Sequence, residues 1–238
     1  IEPNLKLIEN FGENFLTNCF SSPEKLPTKF NPRVIFFAVK PQLMNDIVPF
    51  YSKFNSSHSV FISIAAGKTI EFFENHLTNT ASIIRAMPNT PASVRRGITV
   101  AFSNSKVTDS DRDMAHNLLK AIGEVEWVNE EALIDSVTAL SGGGPAYVFL
   151  LTECLARAGI ESGLPSDLSI KLARATISGS GELLYQSSES PSTLRKNVTS
   201  PGGTTEKALQ VLMENDEWQS IISRAIAAAT ARSKELAG

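Results

Sequence analysis

The chain has 238 residues, 42% of them hydrophobic and 20% charged, a composition that supports one large globular domain or two modest ones. Its formal net charge of -3 gives no electrostatic reason to expect DNA or RNA as a partner. The longest uncharged run, Ser136–Thr152, contains three glycines and a proline, so we expect no membrane span. Cys19 and Cys154 form no CxxC pair, which argues against a zinc site or a disulfide scaffold and fits a reducing compartment. Residues 1–10 are mixed and polar without an initial methionine, so we expect no signal peptide and a missing natural amino terminus.

The first half of the chain alternates between strand-like and helix-like segments. VIFFAV (34–39) is a continuous apolar run of the kind that is buried on both faces of a parallel sheet. A helix opens at Thr108, where Asp111 three residues later fits a capping box, and it ends before Gly123. Strands that alternate with helices predict a doubly wound α/β sheet. The predicted strands cover residues 34–39, 59–67, 81–87, 97–102 and 124–128, and the predicted helices cover 42–54, 70–77 and 108–122.

From about residue 130 onward no convincing strand remains and helical spacing dominates. One apolar helical face follows Pro165, a favoured first-turn residue, and a second runs from Trp218 to Ala229. We therefore expect an α/β domain over residues 1–129 and an all-helical domain over residues 130–238. Alanine and glycine on these faces allow close helix approach, either inside a monomeric bundle or across a dimer.

Small residues stand at the carboxyl ends of successive predicted strands, where open α/β sheets bind their ligands. AVKP (38–41) and SIAAG (63–67) would let a flat ring or a ribose approach the backbone, although tight turn packing also explains them. RAMPNTP (85–91) ends the third strand and fits a rigid turn as well as a site. SGGGPAY (141–147) lacks the GxGxxG spacing and follows helical sequence, so we reject a dinucleotide fingerprint and expect a closely packed helix start.

NVTSPGGTTEKAL (197–209) places a flexible turn immediately before a helical segment. The first N–H groups of a helix lack intrahelical partners, and the helix dipole is positive there. Gly202 and Gly203 let this backbone come close to a ligand, and Thr204 or Thr205 adds a hydroxyl. Such a turn suits a carboxylate or a phosphate. An ordinary loop and N-cap would explain the threonines but not the SPGG in front of them.

Nucleophilic and metal-assisted hydrolysis have little support in this sequence. The three histidines, His58, His76 and His116, stand in polar surroundings outside any motif, and no HExxH, GxSxG or P-loop sequence occurs. We expect no metal site. Hydride transfer needs neither group, because the cofactor carries the chemistry and the protein supplies position and electrostatics.

Six motifs occur in the order AVKPQ, SIAAG, RAMPNTP, VTALSGGGPAYVF, AGIESGLP and NVTSPGGTT. Together they resemble the pyrroline-5-carboxylate reductase family, and the similarity runs from about residue 30 to the carboxyl end. This family makes proline from 1-pyrroline-5-carboxylate with NADPH or NADH, the last step of proline biosynthesis. The resemblance implies a Rossmann-like domain, here without its amino-terminal part, followed by an all-helical dimerisation domain. In the family that domain interleaves with a partner's, and the dimers commonly assemble into a decamer.

The resemblance also implies roles for individual residues. Asn197 would sit between cofactor and substrate, and Glu131 is a weaker candidate for the cofactor side. Thr205 is the catalytic candidate, because its hydroxyl would hydrogen bond to the ring nitrogen of the substrate. The residues implied on the cofactor side are Ala38, Val39, Lys40, Pro41, Ile64, Ala65 and Ala66. The residues implied around the substrate carboxylate and ring are Ser200, Gly202, Gly203, Thr204 and Thr205.

Two features depart from the family pattern. Gly143 replaces the serine in the middle of the family's SGSGP segment, so we expect looser packing at that helix start. The family begins with a strand and a glycine-rich phosphate loop, roughly thirty residues upstream of Ile1. Without that pyrophosphate cradle, these residues alone are expected to bind the cofactor poorly.

Two alternatives stay open at this point. A β-hydroxyacid dehydrogenase would carry a catalytic lysine in the helical half, where Lys171 and Lys207 are nearby but stand in no recognisable motif. A cofactor-binding regulatory protein with a degenerate site is the other alternative. The missing phosphate loop favours it if Ile1 is the true start, whereas NVTSPGGTT favours the enzyme. We expect a cytoplasmic protein, with the mitochondrion as the second choice.

Overall fold

The computed structural model describes residues 1–2, 4, 19–27, 29–56 and 58–237. The expectation of no signal peptide concerns residues 1–10, most of which lie outside this described part. The chain divides into two compact units. The sheet unit comprises Ile1–Pro88, Ala92–Ile134 and Lys234–Gly238, and the helical unit comprises Asn89–Pro91 and Asp135–Ser233.

Five strands form one sheet in the sheet unit. They are β1 (Val34–Phe37), β2 (Val60–Ser63), β3 (Ser82–Met87), β4 (Gly97–Ser103) and β5 (Gly123–Trp127), and they lie side by side in chain order. The strands β1, β2 and β3 are parallel, β4 is antiparallel to β3, and β5 is parallel to β4. The reversal follows from the short connection over residues 88–96, because a parallel crossover needs about a dozen residues or more. The five predicted strands and the Rossmann-like α/β class are confirmed, with this one reversal.

Short helices connect the strands of the sheet unit. They are α1 (Met44–Ile47), α2 (Ile70–His76) and α3 (Asp109–Lys120), with 3-10 turns at Pro23–Lys25, Pro41–Leu43, Val48–Phe54 and Thr90–Val94. The predicted helix over 42–54 is broken into short pieces, since Pro49 lacks the N–H that a continuous helix requires. The capping box is confirmed, because Thr108 Oγ1 accepts from the Asp111 N–H while the Asp111 carboxylate accepts from the Thr108 N–H.

The two faces of the sheet carry separate apolar clusters. Phe37 lies in the first cluster, with ring centroids 5.6 Å from Phe73 and 6.1 Å from Phe61 in stacked geometry. The second cluster comprises Val60, Ile62, Ile84, Ala86, Ala101, Ala115 and Leu119. The strand β2 is therefore buried on both faces, as a central parallel strand should be. The same prediction is wrong for β1, where Phe36 is 44% exposed, because β1 is the edge strand of the described sheet.

The second half of the chain is helical, as predicted. The elements after β5 are α4 (Leu133–Val137), a π-helical turn (Thr138–Gly142), α5 (Gly144–Glu161), α6 (Ser166–Gln186), α7 (Pro191–Asn197), α8 (Thr204–Leu212), a 3-10 turn (Glu214–Asp216) and α9 (Glu217–Ala237). In the part of the chain that the structure describes, no strand follows Trp127. None of the described helices is long and apolar enough to cross a membrane.

Helices α5 and α6 form a closely packed hairpin. A Cβ atom added at Gly159 would lie 2.1 Å from Ser169 Oγ, and this hydroxyl donates to the Ala156 carbonyl at 2.7 Å. Gly163 makes the turn with φ of 100°, a conformation that glycine adopts without strain. The expected close approach of these helices is present within one chain at this point.

The glycine-rich segment starts a long helix, as expected, but its packing differs between neighbouring positions. At Gly143 an added Cβ would lie 2.7 Å from the Tyr147 hydroxyl oxygen, which donates to the Ala139 carbonyl at 2.9 Å. At Gly144 an added Cβ would meet no atom within 4 Å. The expectation of looser packing at Gly143 is wrong, because the tyrosine hydroxyl fills the space beside the missing side chain.

Candidate functional site

The carboxyl ends of β1 and β2 bring two of the predicted cofactor segments together. Because these strands are parallel neighbours, residues 38–41 and 64–66 follow them at the same edge of the sheet, and Ile64 N–H donates to the Phe37 carbonyl at 3.1 Å. Ala38 and Lys40 are exposed there, whereas Val39 packs against the first apolar cluster. Ala66 is half-buried, and Ala65 is buried in the first apolar cluster. The edge therefore offers the exposed Ala38 and the half-buried Ala66 to a flat ligand.

The loop between β2 and α2, residues 64–69, is held in a defined conformation. Ser63 Oγ accepts from the Ala65 N–H at 3.2 Å at its start, and Thr69 caps α2 at its end. Gly67 has φ of 71°, which favours glycine, and an added Cβ there would lie 3.0 Å from the Leu236 carbonyl oxygen. We call this segment the β2–α2 loop.

Glu131 lies where the β2–α2 loop enters its helix. Its Oε1 atom accepts from the Ile70 N–H at 2.8 Å and from Arg85 Nη1 at 2.9 Å. Arg85 is only 2% exposed and stands in register with Ser63, the last residue of β2. The observed contacts of Glu131 are thus with the protein itself, and a contact with the cofactor stays a prediction.

The substrate turn, residues 197–205, lies in the helical unit and is exposed along most of its length. Asn197 ends α7, and its side-chain amide donates to Glu189 Oε2 at 3.1 Å. The turn from Ser200 to Gly203 closes with a 3.0 Å backbone hydrogen bond, with Pro201 second and Gly202 third at φ of 71°. This is the sequence and geometry of a type II turn.

The start of α8 presents backbone donors. Gly203 is the N-cap and supplies no side-chain acceptor, and the first N–H groups of any α-helix have no partner inside the helix. Thr204 and Thr205 are exposed on this first turn. The Glu206 carboxylate reaches back to the Gly202 N–H at 2.8 Å, so one amide of the turn already has an anionic acceptor. The helix start can bind an anion through its remaining amides and its hydroxyls.

The charged groups in these two regions form no metal centre. Among the described residues no cluster of three or more His, Cys, Asp or Glu side chains could hold a metal ion. Two groups with shifted pKa values, Glu24 and Tyr51, lie in the sheet unit outside these two regions. A hydrogen bond from Ser22 lowers the pKa of Glu24, and burial raises the pKa of Tyr51.

The roles of three residues at these sites were not predicted from the sequence. Arg85 has a signal in hindsight, because a charge at the end of a buried strand requires a partner. Glu206 has a local signal as well, since a glutamate at the third helical position is typical of a capping box. Lys68 donates to Asn45 Oδ1 at 3.1 Å and lies 4.3 Å from the Phe72 ring centroid, contacts that no motif predicts.

The five-stranded sheet and the helical second half define a Rossmann-like protein with an additional helical domain. The family model for pyrroline-5-carboxylate reductase dimerisation matches residues 131–236. A pyrroline-5-carboxylate reductase of Glycine max is 38% identical over 203 residues, covering 85% of this chain and 73% of the relative. One from Pseudomonas aeruginosa is 37% identical over 204 residues, covering 86% and 74%. The chain therefore belongs to the pyrroline-5-carboxylate reductase family.

Solved structures agree with this assignment. A pyrroline-5-carboxylate reductase from Coxiella burnetii superposes with a TM-score of 0.82 at 37% identity, covering 87% of this chain and 77% of that one. The Plasmodium falciparum pyrroline carboxylate reductase with NADP bound gives 0.79 at 32% identity, covering 95% and 85%. The predicted family and fold class are thereby confirmed.

Proposed function

We propose that this chain reduces 1-pyrroline-5-carboxylate to L-proline, the last step of proline biosynthesis, with a hydride supplied by bound NADPH or NADH. The observation that carries the proposal is the exposed start of α8 within a chain of this family. Its amides and hydroxyls match a small substrate with one carboxylate and one polar ring nitrogen.

The substrate side of the proposed site is the turn before α8. Ser200, Gly202 and Gly203 bring backbone close to the carboxylate, while Thr204 and Thr205 add hydroxyl groups. Glycine at 202 is required by the positive φ of the type II turn, and an added Cβ there would meet no atom within 4 Å. The turn therefore has open space beside it for a ring.

The cofactor side is the edge formed by the loops after β1 and β2. Side chains no larger than alanine at positions 38, 65 and 66 fit a flat nicotinamide ring and a ribose at the backbone. Asn197 is proposed between cofactor and substrate. The cofactor residues proposed here are Ala38, Val39, Lys40, Pro41, Ile64, Ala65, Ala66 and Glu131.

Thr205 is proposed to orient the substrate and to relay a proton to the ring nitrogen. A threonine hydroxyl is too weak an acid to be an efficient general acid, so the substrate arrives as the iminium or receives its proton through a relay. A protonated imine is far more electrophilic than a neutral one. Holding the reacting atoms about 3–3.5 Å apart supplies most of the rate advantage.

Self-association through the helical unit is part of the proposal. The matching family model is a dimerisation domain, and apolar side chains on α5 and α6, such as Phe149 at 62% and Leu183 at 66%, are exposed in the single chain. Burying them in a dimer would remove a large apolar surface from water. We extend this to a decamer built from five dimers, to domains over residues 1–129 and 130–238, and to a cytoplasmic location.

The direct test follows the absorbance of the reduced nicotinamide while 1-pyrroline-5-carboxylate is added to the purified protein, with proline measured as the product. We expect cofactor oxidation and proline formation in equal amounts, and neither without substrate. Binding of the cofactor without turnover would instead identify a regulatory protein with a degenerate site.

A further inference from the structure

We propose that Glu131 is a positioning residue that fixes the β2–α2 loop against the sheet and thereby sets the affinity for the nicotinamide cofactor. This inference rests on the proposed function, because the loop carries three of the proposed cofactor residues. Nothing in the proposal requires Glu131 to touch the cofactor.

One carboxylate oxygen connects the two ends of the loop. Arg85 stands beside Ser63, where the loop begins, and Ile70 is the first residue of α2, where it ends. Glu131 Oε1 accepts hydrogen bonds from both, at 2.9 Å from Arg85 Nη1 and 2.8 Å from the Ile70 nitrogen. A single atom therefore bridges the residue beside the start of the loop and the residue at its end.

The charges make this connection specific to a carboxylate. Arg85 is buried and positive, and the α2 start carries the positive end of the helix dipole, so both partners favour a negative group. A neutral amide at position 131 could still accept a hydrogen bond from the Ile70 N–H. It would remove the negative charge that pairs with the Arg85 guanidinium at this contact. The helix start and the strand end could then move apart.

A similar pair elsewhere in the sheet unit provides the matched control. Asp111 also caps a helix, α3, and also pairs with an arginine, at 2.5 Å from Arg33 Nη2. Arg33 directly precedes β1, so this pair lies at the amino-terminal edge of the parallel strands and away from the proposed cofactor loops. Loss of the Asp111 charge should lower stability without affecting the cofactor.

The experiment compares E131Q with D111N in the full chain by steady-state kinetics, by direct NADP+ titration and by thermal unfolding. We expect E131Q to raise the KM for NADPH and the Kd for NADP+ about tenfold, the factor for one charge-assisted hydrogen bond. The KM for 1-pyrroline-5-carboxylate should change less than about twofold, as should all constants of D111N. Equal effects of the two variants, or no effect of E131Q on cofactor affinity, would overturn the inference.

A second variant separates positioning from direct contact. Gly67→Ala strains the same loop, because φ is 71° and the new Cβ would lie 3.0 Å from the Leu236 carbonyl oxygen. If Glu131 acts through the loop, G67A alone weakens cofactor binding. The E131Q/G67A double variant then loses less cofactor affinity than the product of the fold-losses of the two single variants. Independent, multiplicative losses would show that Glu131 acts elsewhere.

Three further outcomes are informative. If E131Q does not fold, E131D replaces it, since it keeps the charge but shortens the reach, and unchanged cofactor affinity in E131D would overturn the inference. If the wild type binds NADP+ but does not turn over 1-pyrroline-5-carboxylate, the proposed function fails while the NADP+ titration still tests Glu131. A full-length wild type, rather than residues 1–238 alone, that binds no NADP+ overturns both.

Discussion

Gly203→Asp places a negative charge where the substrate carboxylate is proposed to bind. Gly203 is the N-cap of α8 with φ of -82° and ψ of 171°, values that any residue adopts. An added Cβ would lie 3.0 Å from the Ser200 carbonyl oxygen, so the backbone of the turn must shift by a few tenths of an ångström to accommodate it. Aspartate is a favoured N-cap, so we expect the helix to keep its stability.

The magnitude follows from Coulomb's law. Two unit charges about 5 Å apart at an effective dielectric constant of about 40 repel by roughly 1.7 kcal/mol, which corresponds to an affinity loss of about 15-fold. The Glu206 carboxylate already lies on the same turn, so the added charge would be the second one beside the substrate. We therefore expect the KM for 1-pyrroline-5-carboxylate to rise about 10- to 20-fold, with the KM for NADPH unchanged.

Gly203→Asn is the matched control, because it has the shape of aspartate without the charge. Steady-state kinetics should show a KM increase of less than about threefold for asparagine, and thermal unfolding should give similar midpoints for both variants. A wild-type KM in G203D, or the same increase in both variants, would remove the anion site from this turn.

Four further outcomes follow from the substrate turn and from other parts of the structure. Thr205→Ala should lower kcat roughly 10- to 100-fold, and an unchanged kcat would exclude Thr205 from the mechanism. Glu206→Gln should lower the KM for 1-pyrroline-5-carboxylate about two- to fivefold by removing like-charge repulsion, and a raised KM would contradict this. Ile221→Glu, at a site 53% exposed on α9, should shift the protein toward monomers in analytical ultracentrifugation. Because burial raises the pKa of Tyr51 above 10.0, the native state keeps a proton that the unfolded chain releases, so the free energy of unfolding falls above that pH. Tyr51→Phe should reduce this alkaline decline in urea unfolding.

Local patterns predicted most elements of the fold. Apolar or alternating runs located the five described strands, and the Thr108–Asp111 spacing located the start of α3, because each signal depends only on neighbouring residues. The direction of β4 was not predictable from its own residues, since an apolar run such as GITVAF is compatible with a parallel or an antiparallel strand. Its direction depends on the short connection before it, and the predicted strand ends at 87 and 97 already gave that length, so the reversal was predictable from the connection.

The candidate site shows the same limit. The loops after β1 and β2 were predicted as neighbours, and the hydrogen bond from Ile64 to Phe37 shows that they are. The pairing of Arg85 with Glu131 joins residues 46 positions apart, and no local pattern reports a contact of that range. Glu131 was therefore placed on the cofactor side by resemblance, whereas its hydrogen bonds explain what it does to the loop.

The two units differ in how their apolar residues are buried. The sheet unit surrounds Phe37, Phe61 and Phe73 within one chain, so its core does not depend on a partner. The helical unit has few buried side chains, and the apolar faces that the sequence predicts on α6 and α9 are largely exposed. Since exposed apolar surface of this kind destabilises an isolated unit, the helical unit gains stability from a second copy. The proposed substrate turn belongs to that unit. We therefore expect the Ile221→Glu variant to lose substrate turnover as its association weakens, whereas the stability of its sheet unit should change little.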